Sequence, residues 1–358
     1  MKFLFFFVHP AKFHLFRNTI NSLLNDGNDI EILITSKDIL EDLVKTERWK
    51  YKNIFPEGRK INWLPTKVGA SINLVRTLYR LFKITKGKKY DLFVTDDLLT
   101  FIGRLKGIPT IHFQDDDLKI VPESAILLST ATNILAPQST DLGKYNSKKI
   151  AFNGYKELAY LHPNNFVPNI EIVKKINPEI ERYFVIRVVL LKSTHDVGKK
   201  GIDDKKLKRL VALLLEYGKV YITSERKLES KFEKYRININ YTDISHILYY
   251  ADMFIGDSQT MCSEAAVLGT PSIRFNDFVG KINVMDEKEL KYELSYGFKT
   301  NEFEKMLNKI KELLVINNLK DVFAKRREQM LRENVDLTEF MIKLFSTYPR
   351  TISAKKKI

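Results

Sequence analysis

Ile255-Gly256-Asp257-Ser258-Gln259-Thr260-Met261-Cys262-Ser263-Glu264-Ala265-Ala266-Val267-Leu268-Gly269-Thr270-Pro271 carries the strongest fold signal in the chain. It reads as a strand end, a small polar turn, a helix bearing one glutamate, and a Gly-Thr-Pro exit into another strand. The N–H groups that open such a helix lack partners within it, and the helix dipole adds positive potential there. A diphosphate suits that position. Glu264 lies about one turn beyond Thr260, so its carboxylate can accept both hydroxyls of a ribose. The bland alternative is an ordinary capped helix in which Glu264 is only a helix carboxylate.

Outward from this stretch, strands and helices alternate. Before it come strand-like runs at Tyr183 to Leu190, Val220 to Thr223 and Met253 to Gly256, with helical patterns at Asp203 to Tyr217 and Ile244 to Ala251. Ser272 to Phe275 follows as a strand. The first half has strand-like runs at Phe3 to Val8, Asp29 to Ile34, Asp91 to Thr95 and Pro109 to Phe113, and a helix from Phe13 to Asn25 that Gly27 is placed to end. Such alternation predicts parallel, doubly wound sheets. A Pro- and Asn-rich break at Leu161 to Asn169 divides the chain into a first domain, residues 1–163, and a second, residues 164–335. Residues 336–358 are expected to form a terminal helix and basic tail.

With 358 residues and 44% hydrophobic content, the chain has the material for two soluble globular domains. The net charge of +15 favours an anionic partner. The single cysteine, Cys262, excludes an internal disulfide and a cysteine-based zinc site, and reads as a packing residue in a reducing cytoplasm. The apolar start Met1 to Val8 lacks a cleavage site and runs into His9-Pro10 and Lys12, so it reads as a buried strand rather than a leader. These features point to a cytoplasmic protein.

Several motifs together resemble a known group. Asp257 to Arg274 is similar to the nucleotide-binding segment of non-hydrolysing UDP-N-acetylglucosamine 2-epimerases and related GT-B glycosyltransferases. His9-Pro10 with Phe13-His14, Gly107-Ile108-Pro109 before Phe113-Gln114-Asp115, Asn153 to Leu161, and Arg187 with His195 resemble a microbial family of unknown function, DUF354, placed beside them. The resemblance runs from the first strand to about Phe298. It implies a GT-B-like α/β fold, two Rossmann-like doubly wound domains facing across a cleft, with no metal or cofactor. Two departures stand out. Gln259 and Thr260 replace a Gly-Gly pair of the epimerases, and Gln114 occupies the place of an epimerase glutamate, which weakens epimerase chemistry because glutamine is no base.

Candidate catalytic groups lie where strands end. His9 is read as a base for an acceptor hydroxyl, or else as a cap on the strand–helix turn. Asp115, with Asp116 and Asp117, supplies a second possible base or a sugar-hydroxyl ligand, and Asp96 and Asp97 hold the equivalent position one strand earlier. In the second domain, Arg187 and His195, near Lys192, Lys199 and Lys200, are expected to neutralise a departing diphosphate, with Ser258, Gln259 and Thr260 at the phosphates and Glu264 at the ribose. Arg187 has an alternative as an inter-strand ion-pair partner. Ser71 to Lys89 reads as a helix with Arg76, Arg80 and Lys83 on one face, which suits an anionic membrane surface or is simply a solvated basic face.

The expected function is transfer of a sugar from a nucleoside-diphosphate donor to a sugar or lipid-linked acceptor, in surface polysaccharide or glycolipid assembly. A UDP-sugar 2-epimerase and a non-catalytic sugar-nucleotide binder are the alternatives. A nucleic-acid role is permitted by charge, but no helix-turn-helix, ribonucleoprotein or zinc motif supports specific recognition.

Overall fold

Lys2–Phe7 (β1) is buried from Phe3 through Phe7, as a strand covered on both faces of a parallel sheet must be. In the computed structural model, which describes residues 1–37, 39–59, 66–189, 201–240 and 242–349, this strand lies at the centre of the first sheet. The chain forms two units. The first takes Met1–Tyr160 and is rejoined by the chain from Val335; the second is Leu161–Asn334.

In the first unit β1 is joined by β2 (Asp29–Ile34), β3 (Tyr51–Asn53), β4 (Leu92–Thr95), β5 (Thr110–Phe113), β6 (Asn133–Pro137) and β7 (Lys149–Phe152), in the order β3-β2-β1-β4-β5-β6-β7. Every pairing is parallel. The helix Pro10–Asn25 buries Phe13, Phe16, Ile20 and Leu23 against the sheet, and Gly27, at φ 78°, turns the chain out of it. The last helix, Leu337–Thr347, packs on that helix, with Phe345 meeting Phe5 edge-on at 6.1 Å. Thr338 Oγ1 donates to the Ala159 carbonyl at 2.6 Å and Tyr348 Oη to Asn133 at 2.9 Å, so this helix is tied to the first unit by buried polar contacts as well as rings.

In the second unit β8 (Tyr183–Val188), β9 (Lys219–Ser224), β10 (Met253–Gly256), β11 (Ser272–Phe275) and β12 (Ser295–Phe298) pair in parallel in the order β12-β11-β10-β8-β9. The helix Asp204–Leu215 buries Leu207, Leu210, Val211 and Leu214 at helical spacing, and Asp203 caps it by accepting the Lys206 N–H at 2.9 Å. Both sheets are doubly wound. Four strands went unread in the sequence: β3, β6, β7 and β12 are short, and β3, Tyr-Lys-Asn, has almost no apolar content.

Candidate functional site

The order of each sheet reverses at one point, and ligands of doubly wound sheets bind outside the carboxyl ends of the strands there. In the second unit that point lies between β8 and β10, where Arg187 is in register with Gly256. A Cβ on Gly256 would stand 3.0 Å from Arg187 Cβ and 2.9 Å from the Phe254 ring, so glycine permits this close packing. Next comes Asp257, only 4% exposed. Its carboxylate accepts the Val189 N–H at 2.8 Å and the Ile202 N–H at 3.1 Å. One side chain therefore holds both the residue that follows β8 and the approach to the helix Asp204–Leu215. Burial pushes its carboxyl up to about 6, with the backbone N–H bonds pulling the other way. Gly201 makes room for it, because a Cβ there would lie 2.4 Å from Asp257 Oδ2.

Ser258 then caps the helix Gln259–Leu268, its Oγ accepting the Met261 N–H at 3.4 Å. The N–H groups of Gln259 and Thr260 have no acceptor inside the helix. Ser258, Gln259 and Thr260 are half-buried, whereas Cys262 through Leu268 are all buried. Glu264 is 8% exposed, one turn beyond Thr260. Cys262 is fully buried, and burial pushes its thiol far above the usual range, in keeping with a packing role. Gly269, at φ 81°, ends the helix, and Thr270 Oγ1 fastens the exit by donating to the Leu248 carbonyl at 2.7 Å.

Arg187 is committed elsewhere. Its Nη2 donates to Glu225, just beyond β9, so its charge is already met within the unit. This favours the ion-pair alternative over a free cation for phosphate. His195 and its neighbouring lysines lie outside the described residues.

In the first unit the reversal lies between β1 and β4. His9, Asp96, Asp115 and Lys156 follow β1, β4, β5 and β7, on the same edge of the parallel sheet. His9 caps the first helix through Nδ1, which accepts the Ala11 N–H at 3.2 Å. Loss of hydration, then the charges of Lys37, Lys12 and Lys156, hold its pKa down at about 3. The imidazole is thus neutral at pH 7, with its proton on Nε2. Such a ring offers a donor while its other nitrogen is engaged by the main chain, which favours the cap alternative for His9 over the base.

Asp115 is likewise disfavoured as the base. Lys12 Nζ lies 3.1 Å from one carboxylate oxygen and Lys156 Nζ 2.6 Å from the other. The two ammonium groups outweigh burial and hold the carboxyl well below the usual range, so it is a poor proton acceptor. Asp97 is also occupied, by Arg59 at 2.7 and 3.2 Å and by the Leu98 N–H at 2.6 Å.

Asp96 differs from both. Its Oδ1 is buried and has no hydrogen-bond partner among the described residues. Burial, opposed by Lys12, pushes its carboxyl up to about 6. Position beside the reversal point, a free oxygen and a pKa near neutrality make it the best-placed proton acceptor of this edge. Among the described residues no three His, Cys, Asp or Glu side chains gather as a metal site.

Residues 7–349 match the family described as a protein of unknown function, DUF354. The chain belongs to that family. No curated protein matches it in sequence. Among solved structures, the DUF354 chain is similar to the UDP-N-acetylglucosamine 2-epimerase of Methanocaldococcus jannaschii, with a TM-score of 0.63 and 15% identity over 93% of this chain and 99% of that one. It is similar to CalG4, the calicheamicin glycosyltransferase, at TM-score 0.61 and 11% identity over 97% and 99% of the two chains. Acinetobacter baumannii MurG gives 0.58 and 12%, over 97% and 100%. At these identities the likeness establishes the fold: the DUF354 chain has the GT-B-like architecture shared by glycosyltransferases and non-hydrolysing epimerases.

Proposed function

We propose that this DUF354 chain is a glycosyltransferase that moves a sugar from a nucleoside-diphosphate donor to an acceptor in surface polysaccharide or glycolipid assembly. The observation that carries this reading is the helix Gln259–Leu268: an accessible capped first turn at the reversal point of its sheet, with the buried Glu264 one turn further on. The first turn suits the diphosphate, through the Gln259 and Thr260 amides and the Ser258, Gln259 and Thr260 side chains, and Glu264 suits the ribose.

In this reading the acceptor oxygen attacks the anomeric carbon while the bond from that carbon to the diphosphate oxygen breaks. The nucleoside diphosphate leaves with the electron pair, its charge stabilised by the helix N-terminus. The acceptor proton must go to a base; within the first unit Asp96 is the group suited to that role, and His9 Nε2–H is suited to donate a hydrogen bond. Asp115, held by its two lysines, shapes the edge that carries them.

A 2-epimerase is the second reading. Asp96 favours it as much as transfer, because a carboxylate titrating near 6 also suits proton abstraction beside the anomeric carbon. A thermal-shift screen of nucleoside diphosphates, repeated on Glu264→Ala, tests the donor pocket. Stabilisation by one nucleotide, lost in the variant, supports it; no response to any nucleotide rejects it. Incubating the identified donor without acceptor then separates the reactions. An isomerised sugar means epimerase, whereas diphosphate release only on adding acceptor means transfer.

A further inference from the structure

The helix Thr66–Thr85 turns Thr77 and Leu81 to the core, with Leu74 and Leu78 packed beside them. A surface helix ordinarily carries polar residues on the opposite side. Here that side holds Val68, Ile72, Val75, Tyr79 and Phe82, exposed by 49, 39, 64, 64 and 40%. Their steps of four, three, four and three residues set all five along one outward stripe. Single exposed apolar residues are commonplace, but a contiguous row marks an interaction surface. The neighbouring helix Leu99–Lys106 extends it: Leu105 is 69% exposed, and Lys106 Nζ lies 5.1 Å from the centre of the Phe82 ring.

The unpaired charges beside the stripe have one sign. No acidic residue occurs between Glu57 and Asp91. Arg76 and Arg80, expected from the sequence to face outward, instead pair with Glu57 at 2.9 and 2.7 Å and lie over the Phe55 ring. The cations left facing solvent are Lys83, Lys86 and Lys89, which make no ion pair among the described residues. Lys83 and Lys86 also line a groove of about 1110 Å³ between this helix and the strands β2 and β3, whose lining is of mixed charge because Asp29, Glu31 and Glu57 share it.

We propose that this face docks the protein on a phospholipid bilayer containing anionic lipids. The stripe enters the boundary between headgroups and acyl chains, and Lys83, Lys86 and Lys89 meet lipid phosphates. The stripe itself carries no cation for nucleic-acid phosphates. The inference is independent of the reaction proposed above and needs no nucleotide to test.

The test is flotation of the full chain with vesicles of phosphatidylcholine, with and without phosphatidylglycerol, across a salt series. The protein is expected to float with anionic vesicles at least about tenfold better than with neutral ones, an effect that salt weakens. Val75→Asp/Tyr79→Ser should abolish flotation, and Lys83→Ala/Lys86→Ala should weaken it about tenfold or more at low salt. All four side chains lie at the surface, so the melting temperature should hold, and Ile72→Ser gives an independent check of the stripe. Flotation with neither vesicle, equal flotation with both, or wild-type flotation of Val75→Asp/Tyr79→Ser overturns the proposal. So does lipid-free self-association that this variant abolishes, which would assign the face to a second copy.

Discussion

Lys156 Nζ donates to Asp115 Oδ2 at 2.6 Å, joining the turn after β7 to the end of β5 within the first unit. Lys12 holds the other oxygen from the first helix, so three separate elements meet at one carboxylate. Removing one partner of a buried pair leaves a charge without compensation, at a cost of about 3–5 kcal/mol. Asp115→Asn should therefore lower the denaturation midpoint sharply while leaving the shape of the activity–pH profile unchanged. A profile that loses its acidic limb would make Asp115 the base after all.

Asp96→Asn should behave in the opposite way. An acid whose ordinary pKa is 3.8 and whose folded pKa is about 6 binds a proton more tightly in the fold, so it costs stability as pH rises through that window. Removing the charge should raise stability at pH 7. Turnover should fall about 10²–10⁴-fold, and the activity limb near pH 6 should vanish. Chemical denaturation together with a pH–rate profile reads both effects, and wild-type kinetics in this variant would exclude Asp96 from proton transfer.

Gly201→Ala probes the loop anchor. The added methyl meets Asp257 Oδ2 at 2.4 Å, which forces the carboxylate off the Val189 and Ile202 amides. A loss of about 1–3 kcal/mol is expected from such overpacking. Nucleotide affinity, measured by calorimetry, should fall with it, since Asp257 immediately precedes the capping Ser258. Unchanged stability would show that the anchor tolerates displacement.

His112 is 1% exposed in β5, and burial holds its pKa down at about 4 against an ordinary 6.5. The unfolded chain then takes up the proton first on acidification. Stability from this residue is full above pH 6.5 and drains away as pH falls towards 4, by up to ~3 kcal/mol. His14, held down at about 4, acts in the same direction, whereas the raised carboxyls of Asp96 and Asp257 oppose it. His112→Leu should flatten the acid limb of the unfolding curve measured between pH 4 and 7. An unaltered limb would place the acid sensitivity elsewhere.

Sequence alone determined the class of the fold and the helix at its proposed donor site. Central parallel strands are apolar on both faces, so β1 from Phe3 to Phe7 and β10 from Met253 to Ile255 stand out as unbroken hydrophobic runs, and Gly269 marks the end of the helix that follows β10. Tertiary structure decided the chemistry. A parallel sheet gathers the ends of distant strands on one edge, so Lys12, Asp115 and Lys156 became partners across 103 and 41 residues of chain. His9 and Asp96 look equally suited to take a proton when read as residue types. What separates them is a cap that occupies His9 Nδ1 and a buried oxygen of Asp96 to which none of the described residues donates. The His9 cap is local, a main-chain N–H two residues on, and was open to sequence reading; the polarity around Asp96 is set by burial and by Lys12 and Lys37, which lie far away in the chain.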